Sequence, residues 1–381
     1  NAECWTVRFK YKTLTLEVRC KDAFSIYIHL YFMEICLQIL NPPEIGFTQP
    51  YFLGRKLTAG FDIFHIDNDY RRYSSYRSTQ SGASIRAVWP MAEYASLSVF
   101  YRFLKEEIDS YFFQSGYNLA DDYNADKSEI GYSYVIDTRD DPIYTTRGWT
   151  FSFGQDIAGL LGDSEYIRSN IGGRYYYEIT RDWVLSAGAN AGYIYNYGNK
   201  DLRINDRFFK GGNTFRGFDR AGVGPKEIVT DRPRGAEFFA IGTLEVTLPI
   251  GLPDEFGLRT TLFTDFGIIG KNDDEDRVLN TFRAQELLGD SNSPFYNLSN
   301  LISQDYSALD AACKNDSAGI NEVYGTLCTR FVDDATFRAS IGVTLNWNSP
   351  FGPIRFDIGR AVVDEDYDDA KFFRFSGGTR F

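Results

Sequence analysis

Residues 336–347 read TFRASIGVTLNW. Phe337, Ala339, Ile341, Val343, Leu345 and Trp347 share one parity, and Arg338, Ser340, Gly342, Thr344 and Asn346 share the other. Such alternation is the signature of a β-strand, whose successive side chains point to opposite faces. Residues 235–248 repeat it, with Ala240, Gly242, Leu244, Val246 and Leu248 opposite Thr243, Glu245 and Thr247. Similar runs lie near 57–68, 80–89, 95–108, 126–138, 148–156, 166–181, 183–196, 258–269, 354–363 and 372–381. The pattern predicts twelve strands of about ten residues, the length a tilted strand needs to cross a bilayer. Strands of a soluble sandwich are nearer about five or six. Trp89, Trp149, Trp183, Trp347 and Phe381 fall near strand ends, where the aromatic girdles of a membrane barrel lie. The expected fold is therefore all-β, a transmembrane antiparallel β-barrel.

Composition agrees. A chain of 381 residues would ordinarily form two or three soluble domains. Here 32 Phe and 26 Tyr accompany only 2 Met and 2 His, and 34 Gly against 12 Pro excludes collagen-like and Pro-rich classes. A mean hydropathy of −0.32 excludes a helical membrane protein but not a barrel, whose lipid-facing and lumen-facing residues average out. The most apolar stretch, residues 23–40, is broken by Ser25, His29, Glu34 and Gln38 and reads as strands rather than a spanning helix. The opening NAECWTVRFK lacks the features of a signal peptide, so an export signal is expected upstream. A net charge of −12 has the wrong sign for nucleic acid.

Short connections at 181–182, 249–257 and 348–353 alternate with long ones at 109–125, 197–235 and 270–335. With both chain ends in the periplasm, the long loops at 197–235 and 270–335 lie outside the cell. Residues 270–335 carry 12 acids and 5 bases, and 363–371 carry 5 and 1; together they supply −11 of the net charge. This reads as a solvated outer surface ahead of a divalent-cation site at residues 365–369, where no familiar ligand spacing is present. Cys4, Cys20 and Cys36 sit apart from Cys313 and Cys328. No CxxC pair or His-rich spacing suggests a metal, and Cys313 with Cys328 encloses a short polar loop suited to a disulfide. His29 and His65 assemble no triad, and Asp140 and Asp141 read as turn chemistry, so neither an enzyme nor a cofactor is expected.

Residues 208–225, FFKGGNTFRGFDRAGVGP, hold five glycines in eighteen positions, with an arginine between aromatics. Glycine permits φ > 0 and close backbone packing, which suits a loop entering a confined space. A phosphate cradle would need a following helix and a Walker or dinucleotide spacing, and neither is present.

These residues resemble the BamA family, the central subunit of the outer-membrane β-barrel assembly machinery. Phe215, Arg216, Gly217 and Phe218 form an FRGF motif similar to the family's loop signature. The likeness extends to FTQPYFLGR at 47–55, RFFKGG at 207–212, TDFG at 264–267, WNSPFGPIRFDI at 347–358 and FFRFSGGTRF at 372–381. It thus covers residues 47–381 and implies a sixteen-stranded barrel, normally preceded by periplasmic POTRA domains that this chain lacks. A thirteenth strand falls near 43–51, leaving a divergent segment, residues 1–46, to supply three more near 3–10, 12–19 and 25–38. Residues 1–40 contain no glycine, whereas the family opens with Gly-rich strands.

The resemblance further implies that Arg216 reaches inside the barrel to meet Glu245 and Asp265, with Phe263 beside them. Parity independently turns both acids inward: Glu245 sides with Thr243 and Thr247, and Asp265 opposes Leu262, Thr264 and Phe266. An acid on the lipid face would cost a few kcal/mol at mid-bilayer. Phe373, Phe375 and the terminal Phe381 resemble the recognition signal of bacterial outer-membrane barrels, and Gly377 and Gly378 weaken strand pairing at the seam. The implied function is an outer-membrane insertase that folds other barrels through a lateral seam between first and last strands. Its implied partners are unfolded outer-membrane protein clients, outer-membrane lipid and accessory assembly lipoproteins, with no nucleic acid. A two-partner secretion transporter of the same superfamily and a passive porin are the alternatives.

Overall fold

The computed structural model describes residues 5–11, 14–20, 44–70, 76–110, 123–142, 144–180, 183–198, 202–227, 232–249, 257–270, 277–279, 328–332, 335–349 and 352–377. Long strands dominate: β1 (Trp5–Tyr11), β2 (Leu14–Cys20), β3 (Glu44–Gln49), β4 (Thr58–Asp69), β5 (Tyr76–Pro90), β6 (Ala95–Ser110), β7 (Tyr123–Asp137), β8 (Gly148–Gly162), β9 (Tyr166–Thr180) and β10 (Trp183–Asn196). After two short strands, β11 (Lys226–Glu227) and β12 (Arg232–Pro233), come β13 (Phe238–Leu248) and β14 (Leu258–Gly270). The chain continues through β15 (Arg277–Leu279), β16 (Cys328–Val332), β17 (Phe337–Ser349), β18 (Gly352–Val363) and β19 (Phe373–Gly377). Only two 3₁₀ turns, Phe52–Gly54 and Ile204–Asp206, interrupt the β-structure among the described residues, and no helix there is long and apolar enough to cross a membrane.

One antiparallel sheet takes fifteen of these strands, in the order β19-β18-β17-β14-β13-β10-β9-β8-β7-β6-β5-β4-β3-β1-β2. All twelve runs of alternation read from the sequence fall on strands of this sheet, the last of them described as far as Gly377, and β3 occupies the place of the thirteenth. The beginning differs from a simple meander. β1 pairs with both β2 and β3, leaving β2 at the sheet's end, and the long span 21–43 gives the chain length to return beside β1. The strand expected at 25–38 lies outside the described residues, so fifteen strands rather than sixteen are described. β11, β12, β15 and β16 form a separate small sheet within what reads in sequence as the loops 197–235 and 270–335. Elements of two to five residues are too short for alternation to reveal.

The main sheet inverts the burial rule of soluble proteins. In β17, Arg338, Ser340 and Thr344 are buried while Phe337, Ile341, Val343 and Trp347 are exposed. Polar residues thus face a sheltered interior and apolar ones face outward, as a membrane barrel requires. Residues 202–227 lie against the inner face. Asn205 bonds Ser78 and Glu106 on β5 and β6, whereas Gly217 abuts Ser340 and Ala361 on β17 and β18. In a flat sheet β5 and β18 would be nine strand spacings apart, about 43 Å at about 4.8 Å each. Twelve fully extended residues could only just cover that, at about 3.3–3.6 Å per residue. This stretch contains a 3₁₀ turn and several tight turns and is far shorter. The sheet therefore curls around the segment.

Candidate functional site

The inner-face segment is fixed by side chains that alternation turns inward. Arg216, only 5% exposed, donates from Nε to Asp265 Oδ2 at 2.8 Å and from Nη2 to Asp265 Oδ1 at 2.6 Å. Its backbone N–H bonds the same Oδ2 at 3.0 Å, and its Nη1 reaches Glu245 Oε1 at 2.6 Å. The guanidinium carbon lies 3.7 Å from the centre of the Phe263 ring, a cation–π contact. Glu245 also accepts from Arg174 Nη1 at 2.5 Å and from Ser186 Oγ at 3.2 Å. Two cations and two anions balance across β9, β10, β13 and β14, so no net charge is left in a sheltered place.

Apolar packing seats the rest of the motif. Phe215 and Phe218 meet edge to face at 5.2 Å and join Val223, Ala236, Phe239, Ile241 and Ile269 in one buried cluster. Gly217 adopts φ 86°, and a Cβ there would stand 2.8 Å from Ser340 Cβ. No side chain fits between this turn and the wall, which explains the glycine.

Sequence reasoning missed a second anchor on the opposite wall. Asp206 is buried and bonded by Lys127 and by the Tyr166 hydroxyl at 3.1 Å. Lys127 also pairs with Glu129 at 2.8 Å, and Glu129 accepts from Tyr166 at 2.6 Å and Arg102 at 2.6 Å. Leu202 and Ile204 flank it in apolar clusters with Tyr166, Ala158 and Ile194, and with Ile108. The signal lay in β7, where Lys127 and Glu129 share the inward parity two residues apart. Between the anchors, the Lys210 ammonium lies 3.5 Å from the Phe239 ring centre, and no acid contacts it among the described residues. Burial lowers its pKa to about 8.

In the acidic stretch at 365–369, two of the acids are engaged by cations of the protein itself. Asp368 pairs with the fully buried Arg338 at 3.0 Å and caps the Glu365 N–H at 3.0 Å, while Asp369 takes Lys226 at 2.8 Å. Among the described residues no cluster of His, Cys, Asp and Glu is arranged to hold a metal. Phe373 and Phe375 point outward, and Gly377 is the last described residue of β19. Gly378, Phe381 and Cys313 lie outside the described residues, and with Cys313 the expected disulfide. Cys328 opens β16.

The model of the Omp85 superfamily domain matches residues 43–381. The outer membrane protein assembly factor BamA of Neorickettsia risticii is 28% identical over 249 residues, 65% of this chain and 26% of that protein. The protein of the same name from Neisseria meningitidis serogroup B is 23% identical over 371 residues, 89% of this chain and 41% of that protein. The chain therefore spans about a quarter to two fifths of the length of these relatives. The crystal structure of BamA from Haemophilus ducreyi lacking POTRA domains 1–3 matches with a TM-score of 0.66 at 17% identity, covering 98% of this chain and 69% of that one. At that identity the likeness is one of fold, the antiparallel membrane β-barrel.

Proposed function

The chain belongs to the Omp85 superfamily, and from that premise we propose that it is the barrel of a bacterial outer-membrane assembly factor. It helps unfolded outer-membrane proteins to fold and enter the bilayer, and it works without covalent chemistry or a cofactor. The observation that carries this reading is the inner loop. Arg216 is locked to Asp265 and Glu245, and residues 202–227 occupy the interior from one wall to the other. An interior held this way is a poor open conduit. That argues against a porin and moves the work to the barrel's wall.

The physical task is defined by the bilayer. A strand entering lipid alone carries unpaired N–H and C=O groups, each costing several kcal/mol. A barrel edge that becomes available can pair those groups by strand addition. The natural edge is at β19, which pairs with β18 alone among the described residues. Client strands enter there, at the free side of the last strand, although the sheet's other described edge is β2 and not the first strand. Unfolded outer-membrane proteins are the clients, the surrounding lipid is the medium, and accessory lipoproteins act from the periplasm.

The test is reconstitution of the full-length protein in vesicles of outer-membrane phospholipid. Addition of a urea-unfolded outer-membrane protein should give protease-protected, folded client faster than empty vesicles do. No acceleration would refute the assembly reading. A large steady ion current through planar bilayers would favour the porin instead.

A further inference from the structure

The inner loop is joined to more than the wall. Residues 367–371 run directly into β19, and the loop pairs with them through the backbone. The Asp219 N–H donates to Asp369 O at 2.7 Å, the Asp369 N–H to Gly222 O at 2.9 Å, and the Lys371 N–H to Gly217 O at 2.9 Å. Phe218 and Ala370 form an antiparallel bridge between them. Side chains repeat the connection: Lys371 Nζ lies 2.9 Å from Asp219 Oδ2, and the buried Lys226 reaches Asp369 Oδ2 at 2.8 Å and Tyr367 O at 3.1 Å. At the loop's tip, a Cβ on Gly212 would collide with the guanidinium of Arg374, the inward-facing residue of β19.

These contacts form one mechanical path. Arg216 fixes the loop to β13 and β14, and the loop in turn fixes the leader of the last strand. The described ladder of β19 with β18 runs from Phe373 to Gly377, and it is preceded by one further bond from the Gly359 N–H to Phe372 O at 2.9 Å. The clasp lies immediately before this ladder, so it is placed to set where the strand starts.

We propose that residues 367–371 are a clasp through which the FRGF loop sets the position of β19, with Lys226, Asp219 and Lys371 as positioning residues. The loop and the seam are then one element: while the clasp is closed β19 stays paired, and opening the clasp releases it. This rests on the reading of β19 as the strand that admits clients.

The test separates the clasp from that reading by measuring amide hydrogen exchange in the full-length protein in lipid nanodiscs, without client. Gly222→Ala places a Cβ 2.9 Å from Asp369 O at a position that needs no positive φ, and Lys226→Met removes the buried ammonium. Each should speed exchange at residues 372–377 by about fivefold or more, the loss of roughly one hydrogen bond's stability, while β14 at 258–270 is unchanged. Asp219→Lys should do the same, and Asp219→Lys with Lys371→Asp should restore slow exchange. Unchanged exchange at 372–377 in variants that loosen 369–371 would overturn the clasp, as would loss of protection throughout the barrel. Client folding is then assayed on the same variants. Faster exchange with unaltered client folding would leave the clasp standing and refute β19 as the entry strand.

Discussion

Replacing Arg216 by alanine tests the central contact most directly, and the structure apportions its cost. Asp265 would lose both guanidinium bonds and keep only the backbone N–H of residue 216. Glu245 would lose one bond but keep Arg174 and Ser186. Removing one partner of a buried ion pair costs about 3–5 kcal/mol. Because Glu245 stays compensated, the lower end applies to the charges, about 3 kcal/mol. Loss of the contact with Phe263 adds about 1 kcal/mol, giving about 4 kcal/mol. Asp265→Asn should cost less, about 2 kcal/mol, since Arg216 retains Glu245 and the ring. Glu245→Gln should cost least of the three. In a cycle of Arg216→Ala with Asp265→Ala, the double variant should fall short of the summed single losses by at least about 1.5 kcal/mol. Urea unfolding in detergent micelles, followed by tryptophan fluorescence and by mobility of unheated samples on gels, reads all five variants. A loss below about 1 kcal/mol for Arg216→Ala, or an additive cycle, would refute the argument that this pair holds the loop.

The second anchor gives a separate expectation: Asp206→Asn should cost about 1–3 kcal/mol and speed tryptic cleavage at Arg203 or Arg207, read by mass spectrometry of timed digests. Lys210→Met should raise the unfolding temperature at pH 7. The folded pKa of about 8 lies below the ordinary lysine value of 10.5, so the unfolded chain binds more protons between them. Wild-type stability therefore rises across that window and the variant's advantage shrinks from about pH 8 toward pH 10.5, as melting curves at pH 7, 9 and 10.5 would show. Gly217→Ala should destabilise by about 2–4 kcal/mol, combining the strain of positive φ with crowding against Ser340; a neutral result in the same urea assay would mean the turn can back away from the wall.

The fold was legible because a membrane barrel writes its period along every strand. The parity of Arg338 and Ser340 against Phe337 and Ile341 is enough to assign β17, and with it which face meets lipid. Glu245 and Asp265 were placed inward on the same ground, and Arg216 was singled out by its glycine-rich setting. The second anchor escaped because Lys127 and Glu129 look like ordinary lumen charges until Asp206 arrives from 79 residues away along the chain. The pairing of Asp368 and Asp369 within the acidic residues 365–369 was hidden for the same reason. Their cations, Arg338 and Lys226, come from distant elements, and sequence shows charge but not pairing. At the start of the chain, β1 between β2 and β3 is a choice of partner rather than of conformation, and alternation is silent on partners.

Paired charges share the loop's attachment with its apolar clusters, and this has a mechanical consequence. A buried ion pair contributes little net stability relative to a well-packed apolar substitute, yet breaking it by removing one member is costly. Such contacts select a position more than they deepen it. At the FRGF turn, a shift of one residue would strand Asp265 and Glu245, strand Arg216, and drive Gly217 off the only surface that admits its turn. Partial displacement is therefore worse than either extreme. Complete displacement is different: with the loop withdrawn into water, Arg216 is hydrated and Glu245 keeps Arg174. Asp265 then faces an interior open to solvent. Such pairing would favour two positions over the space between them, the property required of a bistable element. The clasp proposed above would inherit this property, holding β19 or releasing it rather than letting it slide.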